Sequence, residues 1–149
     1  VDIGRLIDKV RSDTSATLSD KNISFITDIP GGLTVKGNES LLYSVFRNLT
    51  DNVAHHAGEG VTIEVKVASI KDGMICFSFI DDGKGVADEK HLDRLFERFY
   101  RVNEGRTRDT GGSGLGLSIV KNAVRLHGGM ISVKRGDKGG LEFTIQIPE

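Results

Sequence analysis

The chain has 149 residues, 38% of them hydrophobic, a length and apolar content that suit one domain around one core. With 20 basic against 21 acidic residues the net charge is −1, which argues against a nucleic-acid or anionic-membrane surface. No apolar run approaches the roughly 20 residues that span a bilayer, nothing at the N-terminus resembles a signal peptide, and a lone cysteine excludes an internal disulfide framework, so a globular cytosolic domain is expected.

Val1 to about Ser19 carries Ile3, Leu6, Ile7 and Val10 at helical spacing. Ile23 to Ile29 reads as a short strand ended by Pro30-Gly-Gly32. Asn38 is placed to cap a helix from Glu39 to His56. Val61, Ile63, Val65 and Val67 alternate with polar residues as in a half-buried strand. Lys71-Asp-Gly73 then turns the chain into a hairpin partner, Met74 to Ile80. Cys76 lies within that partner, where a small buried hydrophobe is the expected role. Leu92 to Tyr100 is predicted to be a short helix, and the polar stretch Asn103 to Gly112 a mobile loop. Leu115 to Leu126 repeats at helical spacing and stops at Gly128-Gly129; Met130 to Arg135 and Leu141 to Ile147 close the chain as strands. The expected fold is an α/β sandwich, with a mostly antiparallel mixed sheet of about five strands packed on about three helices.

Two features stand out against that scaffold. At 100° per residue, Leu41, Leu42, Val45, Phe46, Leu49 and Val53 share a sector of about 140°, and Asn52 projects inside it, with Asn48 at its edge and His55 and His56 flanking. An amide left unpaired in a core costs about 1–3 kcal/mol. A backbone carbonyl, an ordered water or a hard cation could satisfy it, and the helix alone does not choose among them. Tandem histidines without cysteine or glutamate at ligand spacing argue against zinc. The second feature is Gly112-Ser-Gly-Leu-Gly116 running into a helix, which exposes N–H groups at a positive dipole end and reads as an anion cradle. It lacks the Lys-Ser/Thr ending of a P-loop and the Gly-X-Gly-X-X-Gly spacing of a dinucleotide site.

Between them, Asp81-Asp-Gly-Lys-Gly85 ends a strand. It reads as a plain exit turn or as a carboxylate able to accept from an amino group, with glycines that let a ligand approach. Phe96 and Phe99 alone would be core residues. Arg98, Arg101, Arg106 and Arg108 would be solvated, or would neutralise phosphate beside the cradle.

The order of these boxes closely resembles the catalytic, ATP-binding domain of bacterial sensor histidine kinases, in the Bergerat-type ATPase superfamily. The ending His127-Gly-Gly-Met-Ile-Ser-Val133 and Gly139-Gly-Leu-Glu-Phe-Thr-Ile-Gln-Ile-Pro148 strengthens the likeness, which runs from about Ile3 to Pro148. The resemblance implies a single domain over 1–149, with residues 1–20 continuing from a dimerisation and phosphoacceptor domain. It implies ATP and Mg²⁺ as ligands, Asn52 as the magnesium-ligating residue and Asn48 as its partner. Asp81 would read the adenine amino group, with Gly83 and Gly85 passing the base. Phe96 and Phe99 would anchor an ATP lid at about 101–112, with Arg101 at its start. Gly112, Ser113, Gly114, Leu115, Gly116 and Leu117 would shape its far end and face phosphate. His55 and His56 would line the nucleotide where the family often has a lysine and an aromatic.

Related ATPases carry a glutamate where Asn48 stands, as the base that activates water. A neutral amide has no such basicity, so transfer of the γ-phosphoryl group to another nucleophile is implied rather than hydrolysis. The acceptor in this family is a histidine on a separate dimerising hairpin, and His55, His56, His91 and His127 do not lie in its sequence setting. The implied parent is therefore a dimeric inner-membrane sensor acting on a response regulator, with this domain cytoplasmic, monomeric by itself and unable to autophosphorylate. The alternatives are a Bergerat ATPase, an anti-sigma-type serine kinase and a non-catalytic nucleotide-sensing module.

Overall fold

A computed structural model describes residues 1–86, 89–97 and 116–149. Its elements are α1 (Ile3–Asp20), β1 (Ser24–Asp28), α2 (Glu39–His56), β2 (Thr62–Lys71), β3 (Met74–Asp81), a short 3-10 turn (Glu89–Arg94), α3 (Gly116–Leu126), β4 (Met130–Arg135) and β5 (Leu141–Pro148). The strands form one sheet in the order β1-β2-β3-β5-β4. β1 pairs with β2 in parallel because α2 carries the chain between them; the other pairs are antiparallel.

Local chemistry explains most of these boundaries. The Asn38 side chain accepts from the N–H of Leu41 at 3.0 Å, which starts α2 where the sequence places it. Asp72 and Gly73 both have positive φ, 54° and 76°, the pair of conformations that a tight two-residue hairpin requires. Gly128, at φ 75°, ends the α3 segment.

All three helices cover one face of the sheet. Val65, Phe79, Phe143 and Val133 form one cross-strand row on that face. Ile3, Leu6 and Ile7 of α1, Leu42, Phe46 and Leu49 of α2, and Val120 and Val124 of α3 pack over the core. Phe46 meets Phe77 edge-on, with centroids 5.8 Å apart, which contributes about 0.5–1.5 kcal/mol beyond area burial. The opposite face is mostly polar, with Glu64, Glu142 and Lys134 in one row alongside the half-buried Ile80.

Three sequence expectations change. The buried face of α2 includes Thr50 and Ala54, whereas Leu41 is half-buried. Thr50 can face the core because its hydroxyl donates to the Phe46 carbonyl at 2.8 Å, one turn earlier. Cys76 is half-buried on the polar side of β3, because Ile75, Phe77 and Phe79 take the core side. The helix expected from Leu92 is instead a 3-10 turn starting at Glu89, with Phe96 beyond its end; Phe99 and Tyr100 lie outside the described residues.

Candidate functional site

Two junctions frame the candidate site: the end of β3 meets the end of α2 through Gly83 and Ala57, and the start of α3 meets α2 at Asn48. β3 delivers Asp81, which is 4% exposed although it carries a carboxylate. Its Oδ1 accepts from the N–H of Gly83 at 2.9 Å and its Oδ2 from the N–H of Leu141, at the start of β5, at 3.4 Å. Burial pushes the carboxyl above the ordinary carboxylate range. The two N–H donors oppose that shift, and the negative charge of Asp82 adds to it. Asp82 itself turns outward and accepts from the N–H of Thr62 at 2.7 Å, so the adjacent acids have separate jobs.

Glycines make the region around Asp81 possible. A Cβ on Gly83 would stand 2.6 Å from the Cβ of Ala57, just beyond α2. Gly85, at φ 61°, approaches the Gly140 carbonyl, and a Cβ there would lie 2.9 Å from that oxygen. Gly140, at φ 64°, lies against Asp81 itself, and a Cβ on it would overlap both the backbone and the side chain of Asp81. The Ala57 carbonyl accepts from the N–H of Lys84 at 3.2 Å, joining the end of α2 to the same turn. Gly139, Gly140, Leu141 and Ala57 also belong to this region, and the one sequence signal for them, the glycine pair, reads equally as an ordinary turn.

On α2, Asn52 is half-buried at the margin of the core face, not inside it; the inclusion of Thr50 and Ala54 moves that face away from Leu41. Among the described residues its amide has no hydrogen-bond partner. Asn48 is also half-buried, and its Nδ2 donates to the Ser44 carbonyl at 2.7 Å. That bond turns Oδ1 toward α3, where it would lie 3.3 Å from a Cβ on Gly116. His55 and His56 are exposed at the end of α2, their rings edge-on at 6.3 Å. The Lys21 ammonium donates to the Ala54 carbonyl, capping the same helix end.

Gly116 opens α3 and Leu117 is buried beneath it. Phe96 is half-buried against Phe143, edge-on with centroids 6.0 Å apart, and the Lys121 ammonium lies 5.9 Å from its ring centroid. Phe99, Arg101, Gly112, Ser113, Gly114 and Leu115, with the expected lid at about 101–112, lie outside the described residues. Among the described residues no cluster of histidine, cysteine or acidic side chains forms a metal site.

A helix layer on a five-stranded mixed sheet, with a buried acid at the end of β3 and two asparagines on α2, is the architecture of histidine-kinase catalytic domains. The mycobacterial sensor histidine kinase MprB has the same fold at a TM-score of 0.84 and 29% identity, over 99% of this chain and 95% of that one. Full-length ShkA, solved in complex with AMPPNP, matches at a TM-score of 0.82 and 29% identity, over 99% of this chain and 30% of ShkA. The sensor-like histidine kinase SenX3 of Mycolicibacterium smegmatis is 35% identical over 149 residues, all of this chain and 38% of SenX3. The chain belongs to the histidine kinase-, DNA gyrase B- and HSP90-like ATPase family, whose model matches residues 37–149. It spans between 25% and 38% of the length of the first curated relatives it matches. Among the described residues no helix is long and apolar enough to cross a membrane.

Proposed function

We propose that this domain binds ATP with Mg²⁺ and passes the γ-phosphoryl group to a histidine carried on a separate dimerisation domain of its parent. The observation that carries the reading is Asp81: a buried carboxylate at a strand end, held by two backbone N–H groups, with glycines that let the chain segments around it approach closely. An exocyclic amino group donating to that carboxylate would be read with a charge-assisted bond. Bound AMPPNP in ShkA supports a nucleotide at this fold.

The phosphates would lie toward the start of α3, where the N–H groups of Gly116 and Leu117 and the helix dipole favour anions. The half-buried amide of Asn52 suits a divalent cation, and Mg²⁺ bound there would neutralise charge on the phosphates. Asn48, a neutral amide committed to Ser44 through its nitrogen, holds position beside Gly116 but cannot deprotonate water. That favours transfer over hydrolysis: a histidine nitrogen bonds to the γ-phosphorus, the bridging P–O bond breaks, and ADP leaves. Catalysis by this chain is then mainly orientation and electrostatic stabilisation. The parent is proposed to be a dimeric inner-membrane sensor that signals through a response regulator, with this domain in the cytoplasm.

The test is radiolabelled Mg·ATP mixed with this chain and the dimerisation domain of its parent. Acid-labile label on that domain is expected. Steady phosphate release with no acceptor would favour an ATPase instead, and phosphoserine on a small partner an anti-sigma-type kinase. A second reading, nucleotide binding without transfer, is motivated by the exposed pair His55 and His56 at the end of α2. It predicts that H55K together with H56Y creates transfer that the natural chain lacks.

A further inference from the structure

One imidazole fastens α2 to α3 at the end of the pair farthest from Gly116. His127 follows the last turn of α3, and its Nε2 lies 3.0 Å from the N–H of Asn38, the cap residue of α2. A backbone N–H can only donate, so Nε2 carries the lone pair. The ring proton therefore sits on Nδ1, which donates to the Ala123 carbonyl at 2.7 Å. Both ring nitrogens are committed to protein groups, one on each helix, with the Asn38 bond at the surface. Gly37 leaves space for the ring, since a Cβ there would stand 2.6 Å from its Cδ2 and Nε2.

The two helices run in opposite directions: Asn38 at the start of α2 meets the end of α3, whereas Asn48 further along meets Gly116 at the start of α3. Between these points α3 presents Leu117, Val120, Ala123 and Val124 to the core. Such apolar contacts are non-directional. A hydrogen bond at one end adds a directional constraint on the axial position. A slip of one residue moves a helix by about 1.5 Å, enough to misplace the groups at its other end.

We infer that His127 is a positioning residue for the phosphate end of the nucleotide site. Its acceptor nitrogen sets the axial position of α3 against α2, and with it the distance from the first N–H groups of α3 to Asn48 and Asn52. The inference rests on the ATP reading above. It treats the Asp81 end of the site, built from the end of β3, the start of β5 and the end of α2, as independent of the axial position of α3.

The experiment titrates the chain with Mg·ATP and, separately, with adenosine, which lacks phosphates and reports the Asp81 pocket alone. H127A is expected to weaken ATP binding about five- to tenfold, the worth of one net hydrogen bond, and to leave adenosine binding unchanged. H127Q, whose Oε1 can reach the Asn38 N–H, restores ATP binding. G37A displaces the ring without touching His127 and gives the same selective loss, which covers the case where H127A does not fold. Equal losses for both ligands, unchanged ATP binding in the folded variants, or no recovery with glutamine would overturn the inference. A natural chain that binds adenosine but not ATP would overturn it too, and one that binds neither would remove the nucleotide reading itself.

Discussion

Asn48 and Gly116 touch across the α2–α3 interface: the Asn48 Oδ1 would stand 3.3 Å from any Cβ at Gly116. The contact couples the two helices that would face the phosphates, and it requires the first residue of α3 to be small.

Gly116→Ala should therefore separate stability from binding. Alanine favours helix over glycine by up to about 1 kcal/mol in a helix interior, less at a first position, which offsets the crowding of Asn48. The expected result is a near-unchanged thermal midpoint with weaker Mg·ATP binding by calorimetry. A full retention of affinity would show that the helix spacing tolerates a methyl group and that phosphate does not lie there.

Asp81→Asn should reduce adenine-nucleotide affinity by about 1.5–3 kcal/mol, the range for a hydrogen bond to a charged group. The asparagine oxygen can keep the Gly83 N–H, so the fold should persist by circular dichroism. Unaltered affinity in a calorimetric titration would leave Asp81 as a turn residue only.

The pH dependence has opposite signs for folding and for binding. The Asp81 carboxyl is raised in the folded state from an ordinary value of 3.8, so the native protein holds this proton more tightly than the unfolded chain. Stability from this group is greatest below the unfolded pKa and is lost as pH rises through the window up to the folded pKa. Nucleotide binding through the carboxylate needs the proton gone, so affinity should rise with pH across a midpoint above that of an exposed aspartate. D81N should flatten both profiles. Parallel profiles in the natural chain and the variant would assign the pH response to other groups.

Asn52→Ala should make ATP affinity insensitive to Mg²⁺. Its amide is half-buried and has no hydrogen-bond partner among the described residues, so stability should change by no more than about 0.5 kcal/mol. Titrations with Mg²⁺ and with EDTA give the contrast. A persistent magnesium response would move the metal to other ligands.

Lys21→Met should loosen the end of α2. The ammonium caps the Ala54 carbonyl from the far end of α1, and a half-exposed bond of this kind is worth about 1 kcal/mol. Faster amide exchange at Ala54 to Ala57 is expected, with the Asn38 end of α2 unaffected. Uniform acceleration along the helix would point to global destabilisation.

What could be read from the sequence follows from how local each cause is. The start of α2 and the β2–β3 hairpin depend on residues a few positions apart, Asn38 with Leu41 and Asp72 with Gly73, and both were legible. Asp81 could be picked out as a candidate acid, but not the Leu141 N–H that meets it across 60 positions. Nor could the His127 acceptor, 89 positions from Asn38. Thr50 misled the helical wheel because its bond to the Phe46 carbonyl makes a polar residue acceptable in the core. Phe96 was expected on a helix, and its packing on Phe143 again depends on a distant strand.

That distance has a consequence for how the site comes into being. A chain synthesised from its N-terminus presents β3 and both asparagines of α2 long before β5 exists. Until Gly139 to Leu141 arrive, Oδ2 of Asp81 lacks its N–H donor and the carboxylate lies open to water. The proposed adenine end of the site would thus be complete only once β5, the last strand in the sequence, has paired. Nucleotide affinity would then report on closure of the whole sheet, and a nascent or partly unfolded domain would not compete for ATP.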